Sequence, residues 1–169
     1  MKKLTVTDYT HMAIVAAIYV VLTITPPFNA ISYGPYQFRI SEMMNFLAFF
    51  HRKYIIAVTA GVVIANLFTY GLIDVVVGGL STLVFVALGV MLFKKYQNER
   101  VLGGLFNKAF FYFSLFFAAS MFTIAAELAI IAGAPFFLTW VTTGLGELAS
   151  LLIGSLLIER LSQRFDLTK

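Results

Sequence analysis

The sequence predicts an all-α integral membrane protein: one bundle of six transmembrane helices with both termini cytoplasmic. Three observations predict it. Apolar residues make up 60% of the 169 positions and charged residues only 12%, about half the charged share usual in a soluble domain. Mean hydropathy is +0.91, more apolar surface than a soluble fold of this size can bury. The apolar residues also fall into six runs separated by Pro, Gly or basic residues. A soluble enzyme and a disordered segment are thereby excluded, as is a disulfide-stapled secreted module, since the chain has no Cys. At about 20 residues per helical span, the length leaves room for short loops and no extramembrane domain.

The first span is expected at 11–25, stopped by Pro26-Pro27. It lacks a small-residue cleavage site and so reads as a mature helix, not a signal peptide. A loop rich in Pro, Gly and aromatic residues follows, with Tyr33-Gly34-Pro35-Tyr36 in it. The second span, 38–50, is closed by His51-Arg52-Lys53 and is short for a helix rising about 1.5 Å per residue. The third span is 54–70. Gly71 separates it from the fourth, 72–93, which stops at the polar run Lys94 to Arg100. The fifth span, 105–132, is long enough to tilt. Gly133-Ala134-Pro135 turns the chain into the sixth, 138–158.

Orientation follows from Lys and Arg. With six spans, Lys2, Lys3, Arg52, Lys53, Lys94, Lys95, Arg100, Arg160, Arg164 and Lys169 share one side, and Lys108 can snorkel to it. Only Arg39 lies on the other. The positive-inside rule makes the basic side cytoplasmic. Topology thus accounts for the net charge of +4, and no nucleic-acid surface is needed.

Ionisable groups inside a bilayer cost at least about 2.5–3.5 kcal/mol and usually face the bundle interior. Glu42, Asp74, Glu127 and Glu147 all fall in the outer half of their spans, with Arg39 as the one nearby base. Such a field calls for a cationic or donor-rich ligand, protons or a metal. Local structure offers alternatives. Glu42 pairs with Arg39 at a helix start, Asp74 caps a helix, and Glu127 or Glu147 is protonated against a neighbouring helix. Trp140, Thr143, Gly144 and Glu147 share a helical face, as do Asp74, Gly78 and Ser81, and Asn66 lies near the outer end of the third span. Trp140 reads either as a ring on which a flat ligand stacks or as a membrane-interface residue. Two small-residue patches, Ala13-Ala16-Ala17 and Gly146-Ser150-Gly154, permit close helix approach.

Enzyme chemistry finds no support. No Gly precedes a Lys, so there is no phosphate-binding loop. His11 and His51 fall at the basic side, far from any outer nucleophile, and a zinc site would lack Cys and a His pair. No catalytic residue, metal or cofactor is expected.

Two stretches carry a resemblance. One runs from Ile31 through Tyr33-Gly34-Pro35-Tyr36-Gln37-Phe38-Arg39 to Glu42; the other is Ala65-Asn66-Leu67-Phe68-Thr69-Tyr70-Gly71-Leu72-Ile73-Asp74-Val75-Val76-Val77-Gly78 with Leu80 to Leu83 after it. Both resemble the queuosine-precursor transporter family (QueT), which looks like the substrate-binding S component of energy-coupling factor (ECF) vitamin transporters. The resemblance implies six helices, substrate capture from outside beneath the loop between helices one and two, and docking on a transmembrane coupling subunit served by two cytoplasmic ATPases. It also implies a prokaryotic plasma-membrane location. Ala13 and Ala17 match the alanine docking motif of the class. The implied cargo is a 7-deazaguanine such as 7-aminomethyl-7-deazaguanine.

That ligand fits the residues chemically. Glu127 and Glu147 would take the donor edge or the ammonium group. Trp140, Tyr33 or Phe136 would stack on the ring, Asn66 and Gln37 would serve the carbonyl, and Arg39 and Glu42 would belong to the gate. Asp74 completes the expected binding set. Two other readings stay open: an S component for another cationic vitamin such as thiamine, and an autonomous proton-coupled carrier.

Overall fold

The computed structural model describes residues 4–34, 36–68 and 71–168. Lys2, Lys3 and Lys169, with Pro35, Thr69 and Tyr70 of the two quoted stretches, lie outside the described residues. Helix α1 (Val6–Ile24) is followed by the short α2 (Phe28–Ser32), a 3-10 helix (Ile40–Phe49), α3 (Lys53–Leu67) and α4 (Leu72–Phe93). A 3-10 turn (Lys94–Tyr96) leads into a two-residue hairpin, β1 (Arg100–Val101) against β2 (Phe106–Asn107). Helices α5 (Lys108–Ala119), α6 (Phe122–Ala132) and α7 (Phe136–Ser162) complete the chain.

The fold is all-helical apart from that hairpin. Among the described residues, four stretches are long and apolar enough to cross a membrane: Val6–Ile24, Leu72–Tyr96, Lys108–Ala132 and Phe136–Ser162. α3, with 15 residues, and the 3-10 helix, with ten, fall short of the usual ~20. The 3-10 geometry partly makes up the second shortfall. At about 2.0 Å per residue, ten residues reach roughly 20 Å, and Gln37 to Arg39 lead into them as non-helical chain.

Several boundaries differ from the sequence expectation, each for a local reason. α1 starts at Val6, five residues early, because Thr5 and Asp8 form a capping box: the Thr5 hydroxyl accepts from the Asp8 N–H at 3.3 Å and Asp8 accepts from the Thr5 N–H at 2.8 Å. The fifth span is not one helix from 105. Phe106 and Asn107 belong to the hairpin, and Asn107 caps α5 by accepting from the N–H groups of Ala109 and Phe110. The helix then breaks at Ser120–Met121, where the Ser120 hydroxyl donates back to the Phe117 carbonyl at 2.6 Å and competes with the helical ladder. α7 extends from 136 to 162, beyond both ends of the apolar run.

Because successive long segments run antiparallel, the chain separates two chemistries. Arg52, Lys53, Lys94, Lys95, Lys108 and Arg160 sit at helix termini of one end, the basic end. There the buried Lys53 ammonium reaches Asp8 of α1 at 2.7 Å, and Lys108 pairs with Glu99 while lying over the Tyr96 ring. The opposite end holds Arg39, Glu42, Asn66, Asp74, Glu127 and Glu147. It is called the acid end below.

Between the two ends lies an aromatic core. Phe46 and Phe49 of the 3-10 helix meet Phe110 and Phe113 of α5 with ring centroids 4.6–5.5 Å apart, and Phe113 stacks on Phe117 at 5.4 Å. All five rings are at most 2% exposed. Replacing Phe113, which touches three of the others, with Ala should lower stability by about 3–5 kcal/mol. Chemical unfolding of the detergent-solubilised protein checks this.

Candidate functional site

The acid end is assembled around the 3-10 helix. Its N-terminal half is laid onto α7, where Gly146 leaves no room for a side chain beneath the Tyr36 carbonyl and Gly154 leaves none beneath Met43. Between them the Ser150 hydroxyl donates to the Arg39 carbonyl. The Gly146-Ser150-Gly154 stripe is therefore an internal seat for residues 36–43.

Seated this way, Gln37, Arg39 and Glu42 face Glu147 of α7 across a small cavity, whose other walls include Ser81 and Thr82 of α4 and Ile124 of α6. The space open to the centre of a water-sized sphere is about 20 Å³, enough for roughly one water. A wider cleft of about 600 Å³ lies beside it, lined by Tyr33, Tyr36, Leu128, Thr139 and Thr143. Gln37, with φ of 46°, belongs to the wall of both.

Glu42 is buried and holds two bonds: Oε1 accepts from the Tyr19 hydroxyl, and Oε2 accepts from the Asn45 amide at 2.6 Å. It forms no ion pair with Arg39, contrary to the local alternative drawn from their spacing. Arg39 precedes the helix in extended backbone, at φ −104° and ψ 103°, so the i, i+3 helical geometry is absent. The Arg39 guanidinium instead donates to the Ser32 carbonyl at 3.4 Å and lies 5.3 Å from the Tyr33 ring centroid. The Tyr33 hydroxyl donates to the Ala65 carbonyl.

Asp74 is not the cap of α4, because that position belongs to Gly71. It is buried in the first turn, and its carbonyl accepts from the Asn66 amide at 3.0 Å. Asn66 fits there only because Gly78 has no side chain. Its nitrogen is thus turned to the backbone, and its buried oxygen has no hydrogen-bond partner. Asn66 so placed keeps its Oδ1 acceptor and the second N–H of its amide for a ligand.

Glu127 and Glu147 are 5% and 2% exposed. Neither oxygen of Glu127 has a hydrogen-bond partner, and Oε1 of Glu147 has none. Glu127 sits one turn beyond Ile124 of the cavity wall and within electrostatic range of Asp74 and Arg39; Glu147 is within range of Glu42 and Arg39. Among the described residues no group of three or more His, Cys, Asp or Glu could hold a metal ion.

Trp140 lies elsewhere. Its indole N–H donates to the Ala119 carbonyl at 2.9 Å, and its ring packs on Phe122 and Phe136 above an outward groove beside α5. It shares a helical face with Glu147 but does not line the cavity. Ala13 and Ala17 are exposed on α1, in line with Ile14 and Ile18.

Residues 9–163 match the model of the QueT transporter family. The chain belongs to the QueT transporter family. It is 56% identical, over 169 residues covering all of both chains, to the protein named Queuosine precursor transporter QueT of Lactococcus lactis subsp. cremoris (strain MG1363). No solved structure matches. This is a family of transporters, and the apolar helices above make the chain a membrane protein.

In this QueT family member, Tyr19, Asn45 and Thr82 complete the acid end and were missed by sequence reading. Asn45 carried a signal, being a polar residue three positions after Glu42 inside an apolar run. Tyr19 carried none, since a tyrosine in α1 looks like any other apolar-face residue. Two substitutions test the seat. Ser150→Ala removes one of two donors to the Arg39 carbonyl, which keeps the Glu42 N–H at 3.1 Å, costing about 0.5–1.5 kcal/mol, and Gly146→Ala overpacks the seat at a cost of about 1–3 kcal/mol or more. Thermal unfolding followed by the emission of Trp140, the single tryptophan, should show both variants less stable than wild type.

Proposed function

We propose that this chain is the substrate-binding S component of an ECF-type importer in the prokaryotic plasma membrane. Its cargo is a 7-deazaguanine precursor of queuosine, 7-aminomethyl-7-deazaguanine, captured from outside. The name of the relative supports a queuosine precursor as cargo. The observation that carries the choice of ligand is the set of buried acceptors at the acid end. Asn66 Oδ1, both oxygens of Glu127 and Oε1 of Glu147 lack hydrogen-bond partners, while no amide or amine nitrogen does so among the described residues. A buried acceptor without a partner costs about 1–3 kcal/mol. A deazaguanine supplies adjacent N–H donors on one edge, and its aminomethyl group adds an ammonium. Glu147 takes the donor edge, Glu127 the ammonium, and Gln37 is left for the ring carbonyl. Tyr33 and Arg39 stand beside the cleft through which the ligand enters. A one-water cavity must widen to admit a bicyclic base, so Gln37 and Arg39 of its wall move when it binds.

The aromatic core supports dependence on partners. Phe117 is in the cavity wall, and below it the rings of Phe113, Phe110, Phe46 and Phe49 close the bundle. An autonomous carrier would have to part these rings on every cycle. A subunit moved as a whole by a transmembrane coupling subunit, driven by two cytoplasmic ATPases, would not. The exposed Ala13 and Ala17 form the docking face for that coupling subunit. The basic end is cytoplasmic by the positive-inside rule, with the 3-10 helix and α3 as the second and third of six crossings.

Calorimetry with purified protein tests the ligand. 7-Aminomethyl-7-deazaguanine should bind wild type, and Glu147→Gln and Glu127→Gln should each lose about 2–5 kcal/mol. The Glu127 variant should lose least with a deazaguanine that lacks the ammonium. Normal binding by both variants, or displacement by thiamine at lower concentration, overturns the assignment. Uptake in cells lacking the ATPases should vanish. Uptake that persists there and collapses with the proton gradient identifies an autonomous carrier instead.

A further inference from the structure

A second concave surface lies at the basic end, on the outside of the bundle. It is a groove of about 610 Å³ between Met43 of the 3-10 helix and the last turns of α7. Its apolar wall is Met43, Leu157 and Leu161, and its upper rim is Arg160, Gln163 and Arg164. The close seating of Met43 on Gly154 fixes the floor. Leu157 and Leu161 are 45% and 42% exposed, so the groove opens onto the same flank of α7 as Ile153, which is 54% exposed.

Among the described residues, part of the basic end is internally neutralised; Arg160 and Arg164, like Arg52, Lys94 and Lys95, are not. At the basic end Lys53 is matched by Asp8, Lys108 by Glu99 and Arg100 by Glu159, the last at 2.8 Å. Arg160 and Arg164 form no ion pair among the described residues. They stand one turn apart, the backbone turning on past the helix end through the Arg164 N–H to the Leu161 carbonyl at 3.0 Å. Glu159, the nearest acid in sequence, is engaged by Arg100. Asp166 accepts from the N–H and hydroxyl of Thr168.

Two unmatched guanidiniums above an apolar trough, in the last turns of a helix long and apolar enough to span a membrane, match one kind of occupant. The headgroup must be anionic, because guanidinium forks bind phosphate oxygens in pairs. The body must be apolar, because a free anion would leave the trough unused. Basic pockets at the cytoplasmic boundary of membrane proteins take lipid headgroups on this physical basis. We propose that this groove binds one anionic phospholipid, its phosphate held between Arg160 and Arg164, its headgroup in reach of Gln163, and one acyl chain along Met43, Leu157 and Leu161. The bound lipid braces the end of α7 against the 3-10 helix, the same pair of elements that builds the acid end.

Native mass spectrometry of the delipidated, detergent-purified chain, titrated with phosphatidylglycerol or phosphatidylcholine, tests this. Wild type should retain one phosphatidylglycerol per chain in preference to phosphatidylcholine. The double substitution R160Q/R164Q should weaken phosphatidylglycerol roughly thirtyfold and abolish the preference. Leu157→Trp fills the trough without changing charge and should weaken both lipids. The control K94Q/K95Q removes the same charge from the same end and should leave binding as in wild type. Wild-type binding by R160Q/R164Q or by Leu157→Trp overturns the proposal. So does an equal loss in K94Q/K95Q, which would mean diffuse charge, and so does glycerol phosphate binding as tightly as the whole lipid. Substrate affinity enters none of these readouts.

Discussion

The seat of the 3-10 helix on α7 is the constraint from which the rest of the structure follows. Ten residues in 3-10 geometry make a long run for that conformation, and tertiary packing holds it. From Ser41 to Phe49 every residue but Met43 is buried, with α1, α3, α4 and α7 around it. The helix turns two glycines and a serine of α7 into a contact face for backbone, which brings the chain closer than side chains would permit. It then sets out its chemistry by position. Glu42 goes to the polar cavity, Asn45, three residues on and therefore stacked beneath it in this geometry, donates to it, and Phe46 and Phe49 go to the aromatic core. A standard α-helix of the same ten residues would be about 5 Å shorter and could not serve both places.

The acid end works against stability. Buried acceptors without partners cost about 1–3 kcal/mol each, and four of them amount to a sizeable part of the 5–15 kcal/mol that a folded domain normally has in reserve. The compensation lies elsewhere in the bundle, chiefly in the fused Phe cluster. Unmet polar capacity gathered at one end of the bundle is how a binding site stands apart from a core.

The all-helical class, the acid and basic ends and most of the polar set were legible in the sequence, because bilayer energetics makes each carboxylate in an apolar run conspicuous. α4 matches its apolar run residue for residue. What stayed hidden depended on tertiary geometry or on hydrogen bonds outside the hydropathy signal. The early start of α1 follows from a Thr–Asp capping box in polar sequence, and the break after α5 from one serine bonding backwards. Trp140 has the right helical spacing to join Glu147, yet the Ala119 carbonyl and two neighbouring rings draw its side chain to another surface. The roles of Tyr19 and Asn45 depend on a register between α1 and the 3-10 helix that no linear pattern encodes.

The aromatic core divides the molecule into a part that recognises and a part that endures. Side chains more than about 7–10 Å apart with no shared partners contribute nearly additively. Phe46, Phe49, Phe110 and Phe113 line no part of the acid-end cavity, so exchanging a carboxylate there leaves those rings their own partners. Descendants of such a chain can retune what they capture by a few changes near its mouth while inheriting the same scaffold, which makes the architecture readily evolvable towards new cargo.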